Sequence, residues 1–110
     1  MAVQHQQLAN GRWQKFSLME QLAHVGSEVD RAAHWMKKGD SVSSQRSIDR
    51  ALELIDLTLD DQRWQGRKKE IARAREVLCD HFYGDNEYHS TTESLQRYFF
   101  HFAMAAAKNR

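Results

Sequence analysis

Apolar residues recur every three or four positions in four separate stretches of this chain, and the chain contains no proline. That interval returns a side chain to one side of an α-helix, so each stretch carries one apolar stripe that must be covered. Without proline, no backbone donor is missing and no ring blocks a long helix. No stretch alternates apolar and polar residues at the period of two that a half-buried strand requires. The sequence therefore predicts an all-α protein.

The first stripe is Leu18, Leu22, Val25, Val29, Ala32, Ala33 and Met36. It opens on Ser17-Leu18-Met19-Glu20, a capping box in which the serine oxygen accepts from the third backbone N–H and the glutamate reaches back. Lys37 and Lys38 suit the negative end of the helix dipole, and Gly39 can take the left-handed C-cap. Gly26 sits inside this helix at the edge of the stripe, which points to close approach of another helix. The second stripe is Ile48, Ala51, Leu52, Ile55 and Leu59, starting within Asp40 to Ser44 and stopping near Asp60-Asp61, whose charges oppose a helix C-terminus. The third is Ile71, Ala74, Leu78 and Phe82, with Val77 at its margin and Gly84 as C-cap; it predicts a helix from about Gln65 to Tyr83. The fourth is Leu95, Phe99, Phe102 and Ala106, behind a second capping box, Ser90-Thr91-Thr92-Glu93. Four such helices on short connections predict an antiparallel, up-down-up-down four-helix bundle over residues 17–110. A short N-terminal arm, residues 1–16, precedes it, with Trp13 and Phe16 as its anchors. At 110 residues the chain is one domain.

Composition removes several function classes. The net charge of +1 gives no global attraction to nucleic acid or anionic membrane. A single cysteine, Cys79, rules out a disulfide framework within the chain. Met1 to Asn10 is polar and lacks the apolar run of a signal peptide, and Tyr98 to Ala107 is too short to span a bilayer. These features lead to the expectation of a cytoplasmic protein.

Two helices carry more apolar surface than one stripe needs. Phe100, Met104 and Ala107 project far from the core meridian of the fourth helix, and Leu54 and Leu57 depart from the stripe of the second. A helix apolar on several sides is normally covered on several sides. Either the N-terminal arm lies across the fourth helix, or a second copy of the chain does, through Leu54, Leu57, Phe100 and Met104. Contiguous apolar patches mark interaction sites and two-fold dimers are the commonest oligomers, so a homodimer is the expectation.

Candidate chemistry lies mainly on the third helix. Arg75 and His81 stand six positions apart, near its end. This arrangement resembles the arginine–short gap–histidine motif of HEPN domains, small bacterial and archaeal four-helix bundles; the size and all-α reading also resemble that group and the ribosomal bundle proteins placed with it. The resemblance implies a dimeric ribonuclease. In it His81 would act as general base or acid on a ribose 2′-hydroxyl, and Arg75 would stabilise charge on the phosphorane. Six residues turn a helix through about 240°, so the two side chains flank opposite edges of the stripe. The plainer alternative is a salt bridge from Arg75 to a neighbouring helix and a half-buried His81 capping the core.

Arg63, Arg67, Lys68, Lys69, Arg73 and Arg75 form a basic run opposed by Glu70 alone. Phosphate contacts need such clusters, and Trp64 could stack on a base. The alternative is a solvated face paired with Asp49, Glu53 and Asp56 of the second helix. Glu28 is placed to pair with Arg50 or Arg75. No metal-binding set is apparent: Glu20 with His24 and Asp30 with His34 lie on an outer face, and Asp85, Glu87 and His89 share a turn. No cofactor motif occurs. The leading reading is a small interaction or scaffold module acting as a homodimer; the alternative is a HEPN-like RNA-binding protein or ribonuclease.

Overall fold

A computed structural model describes residues 11–108 of the chain. Four helices account for most of them: α1 (Leu18–Lys37), α2 (Ser41–Leu59), α3 (Lys68–Phe82) and α4 (Thr92–Lys108). Short 3₁₀ turns, Trp13–Lys15 and Gln62–Arg67, precede α1 and α3. No strand occurs among the described residues. Residues 1–10 of the expected arm lie outside them.

Local chemistry sets the helix ends. The α1 capping box forms in full: Glu20 N–H donates to Ser17 Oγ at 3.1 Å, and Ser17 N–H donates to Glu20 Oε1 at 2.9 Å. Gly39, at φ +75°, makes the left-handed step that turns the chain into α2. Asp40 caps α2, accepting from Ser43 N–H at 3.0 Å. The box expected at Ser90…Glu93 is displaced by one residue. Thr91 and Ser94 exchange it instead, each backbone N–H donating to the other's hydroxyl at 2.9 Å. Ser90 is held back by Asn86, whose amide bonds both its N–H and its C=O at 2.9 Å. The start of α3 is also later than expected, because Asp61 caps a 3₁₀ turn that runs to Arg67 before the α-helix begins.

α1 is the central element, packing most extensively on α2 and α4, while α3 leans on α2. The core joins Leu22, Val25 and Val29 of α1 to Ala51, Leu54 and Ile55 of α2, to Ile71, Ala74 and Leu78 of α3, and to Leu95 and Phe99 of α4. Trp13 is fully buried in the same core, so the packed body begins ahead of Ser17. At Gly26, α1 and α4 approach closely. A Cβ placed there would stand 2.7 Å from the Cβ of Phe99.

The expected stripe of α2 is buried at Ile48, Ala51 and Ile55, and a second, partly polar line widens the core-facing side: Ser44, Ser47, Leu54, Thr58 and, past the helix end, Asp61 are buried as well. Leu54, expected on a second outer surface, is therefore a core residue at 3% exposure. The polar members of this line are satisfied. Ser44 donates to Ala32 C=O at 3.1 Å, Ser47 to Ser43 C=O at 3.1 Å and Thr58 to Leu54 C=O at 3.0 Å. Met36, placed on the α1 stripe by its spacing, is 48% exposed in the last turn.

Candidate functional site

The expected Arg75–His81 pair is divided between two neighbours. Arg75 reaches α2, where its Nε donates to Asp56 Oδ1 at 2.8 Å, and its Nη1 lies 3.5 Å from Cys79 Sγ. The bond to Asp56 raises the guanidinium pKa above its ordinary value. His81 turns toward the start of α4, with Nε2 3.3 Å from Thr92 Oγ1 and its ring edge-on to Phe82. Its Nδ1 is buried without a hydrogen-bond partner. Asp80, which would have repelled a phosphate beside His81, instead accepts from the backbone N–H groups of Glu87 and Tyr88 at 2.7 and 3.0 Å. These bonds hold the α3–α4 loop shut around the end of α3.

The basic run is dispersed in the same way. Arg63 is a structural residue: its guanidinium bonds both carboxylate oxygens of Asp61, donates to Phe16 C=O at 2.7 Å and stacks over Trp64. Arg67 pairs with Glu70 at 3.0 Å. Arg73 lies 4.9 Å over the ring of Tyr88. Lys68 and Lys69 are exposed in the first turn of α3. At the C-cap of α3, Tyr83 donates to Asp49 of α2 at 2.7 Å, and burial, helped by that carboxylate, pushes its hydroxyl up to about 12.

A buried polar lock, which no motif in the sequence announces, joins the two 3₁₀ turns to the helices. Gln21 is fully buried and uses its whole amide. Its Nε2 donates to Trp13 C=O at 2.9 Å and to Asp61 Oδ2 at 3.1 Å, and its Oε1 accepts from Trp64 Nε1 at 3.0 Å. Trp13 Nε1 donates to Thr58 Oγ1 at 3.0 Å. The hydrogen bonds from Arg63 outweigh burial and hold the Asp61 carboxyl down at about 2. A second buried acid, Glu28, binds Arg50 of α2 at 2.6 Å and also Arg31. Arg50 is thus the partner among the two arginines considered. Each group in these clusters bonds another protein group, so they fix the fold and leave no open centre.

The outer side of α4 is different. Phe100 is 60% exposed and Met104, one turn on, is 49% exposed. Phe100 borders a shallow hollow with Asp30, Glu93, Gln96 and Arg97. Leu57 of α2 is half-buried and packs against the core. Among the described residues, no group of three or more His, Cys, Asp or Glu side chains is placed to hold a metal ion. No helix among them is long and apolar enough to cross a membrane. Comparisons with protein-family models, with curated proteins and with solved structures find no significant match to this chain.

Proposed function

We propose that the chain is a protein-interaction module, an antiparallel up-down-up-down bundle that pairs with a second copy of itself through the outer face of α4. The observation that carries this reading is the exposed pair Phe100 and Met104 on one helix face. Charge favours a second copy as the occupant. Glu93 lies in the first turn of α4 and Lys108 in the last. They are equidistant from the Phe100–His101 step, so an antiparallel two-fold there sets Glu93 against Lys108 of the second copy and opposes the two helix dipoles. The antiparallel order of the bundle is supported by descending contacts: Gln21 with Asp61, Glu28 with Arg50 and Ser44 with Ala32 between α1 and α2, then Arg75 with Asp56 and Tyr83 with Asp49 between α3 and α2. The single cysteine suits a reducing, cytoplasmic setting.

Covering what remains exposed of Phe100 and Met104 is worth about 1 kcal/mol per side chain, hence about 4 kcal/mol over two copies. Light scattering across the micromolar range should find a dimer, and the double variant Phe100→Lys, Met104→Lys should weaken it roughly a thousandfold. A wild-type chain that stays monomeric throughout would remove the reading. The RNA-directed alternative requires Arg75 to leave Asp56 and His81 to leave Thr92. Salt-dependent RNA binding or cleavage lost in Arg75→Ala and His81→Ala would favour it over the module.

A further inference from the structure

The α3–α4 side of the bundle is less tightly closed than the others. Between these helices lies a groove of about 380 Å³ over Ala74, Val77, Leu95 and Phe99, with Arg73 and Tyr98 at its rim. Its volume falls within the range of about 300–1,000 Å³ usual for small-ligand sites. Ala74, Leu95 and Phe99 are core residues that form an apolar floor. The rim is polar. Ser94 is engaged in the α4 cap. Arg73 makes no ion pair among the described residues; its guanidinium rests on the face of Tyr88, which orients it without neutralising it. Tyr98 lines the groove while still 41% exposed, and partial desolvation raises its hydroxyl above the ordinary phenol range, so it remains a hydrogen-bond donor at neutral pH. Two carboxylates stand nearby. Glu70 is bonded to Arg67, and Glu76 accepts from the Tyr88 hydroxyl at 3.2 Å.

We propose that this groove binds a small apolar monocarboxylic acid, its body on Ala74, Val77, Leu95 and Phe99 and its carboxylate on Arg73. The cation at the rim selects the acid, because a planar guanidinium meets a carboxylate with two parallel hydrogen bonds. The apolar floor selects against small hydrophilic anions, which would leave it wet. The site is separate from the Phe100–Met104 face, and occupation of one does not require the other.

The probe pair is naphthoate and its neutral methyl ester, followed by methyl and backbone NMR on the full chain. Naphthoate should shift the resonances of Val77 and Leu95 and bind about tenfold or more tightly than the ester. Arg73 is exposed, so Arg73→Gln should fold normally; it should bring the acid down to the affinity of the ester and leave the ester unchanged. Equal binding of acid and ester to the wild type, shifts gathered at Phe100 and Met104, or no binding of naphthoate would each overturn the proposal.

Discussion

Adding a single methyl group at Gly26 tests the packing of the whole bundle. In an α-helix, alanine is favoured over glycine by about 0.8–1.0 kcal/mol, so Gly26→Ala would stabilise α1 if nothing stood in its way. The obstacle is specific. The new Cβ would lie 2.7 Å from Phe99 Cβ, about 1 Å inside the separation at which carbon atoms attract. Phe99 Cβ is fixed to the backbone, so no rotamer of that ring can withdraw it. Relief requires α1 and α4 to part by about 1 Å, which loosens the contacts of Val25, Val29 and Leu95 as well, and overpacking of this kind costs about 1–3 kcal/mol. Less the propensity gain, the net expectation is a loss of up to about 2 kcal/mol.

Urea unfolding followed by far-ultraviolet circular dichroism, at matched protein concentration, reads this as a lower midpoint with an unchanged slope. Ser27 is the internal reference: it is exposed in the same helix, and Ser27→Gly against Ser27→Ala measures the propensity term without the contact. Phe99→Leu keeps its Cβ, so Gly26→Ala should cost as much in that background as in the wild type. A Gly26→Ala chain stabilised by the full propensity term would refute the close approach of α4. So would a cost that disappears when the ring of Phe99 is trimmed, since the blame would then fall on a mobile side chain.

Two further outcomes follow from the polar lock. Asp61 is held at about 2, below its ordinary 3.8, first by the hydrogen bonds from Arg63. Its contribution, at most about 2 kcal/mol, is therefore complete above about pH 4 and is lost as pH falls toward 2. Unfolding free energy measured over that window should fall more steeply for the wild type than for Asp61→Asn, and parallel curves would exclude Asp61 as the source. Trp13→Ala should cost about 3–5 kcal/mol through the cavity it leaves, visible as a large drop in the urea midpoint; a midpoint near that of the wild type would mean that the segment ahead of α1 is not part of the core.

Much of the scaffold was legible because it rests on local rules. The α1 capping box, the left-handed step at Gly39 and the reason for a glycine at position 26 are all short-range readings that the structure repeats. On α2, Ile48, Ala51 and Ile55 were legible as core, but the line beside them was not, because most of it is polar. Ser44, Ser47, Thr58 and Asp61 keep helical spacing with Ala51 and Leu54, yet a hydrophobicity pattern passes over them. It assigns Leu54 to an outer face as a result. Those polar residues are acceptable in the core because each is hydrogen-bonded, Ser47 to the turn before it and the others to groups distant in sequence as well, such as Trp13 with Thr58 and Gln21 with Asp61. No periodicity encodes such pairs. The displaced cap of α4 has a similar origin, since Asn86 holds Ser90 before Ser90 can serve as cap. The α3–α4 groove left no trace in the pattern, because Ala74, Val77, Leu95 and Phe99 look like ordinary core positions until the two helices are seen to stand apart.

The distribution of cations on α3 and the 3₁₀ turn before it bears directly on what the chain can bind. Of the six in the basic run, Arg63, Arg67 and Arg75 are bonded to Asp61, Glu70 and Asp56. That leaves Lys68, Lys69 and Arg73 without an ion pair among the described residues. Three cations release few counterions: a slope of log K on log salt no steeper than about −3 follows from roughly 0.9 per phosphate. Lys68 and Lys69 also stand at the positive end of the α3 dipole, where they repel one another and the helix end alike. A nucleic-acid surface assembled from them would be weak and easily displaced by salt. Arg73 stands apart from the two lysines, stacked on an aromatic ring at the mouth of an apolar groove. One oriented guanidinium beside an apolar surface recognises one carboxylate far better than it follows a phosphate backbone, and on α3 that is the arrangement left open after Asp56, Asp61 and Glu70 have taken their partners.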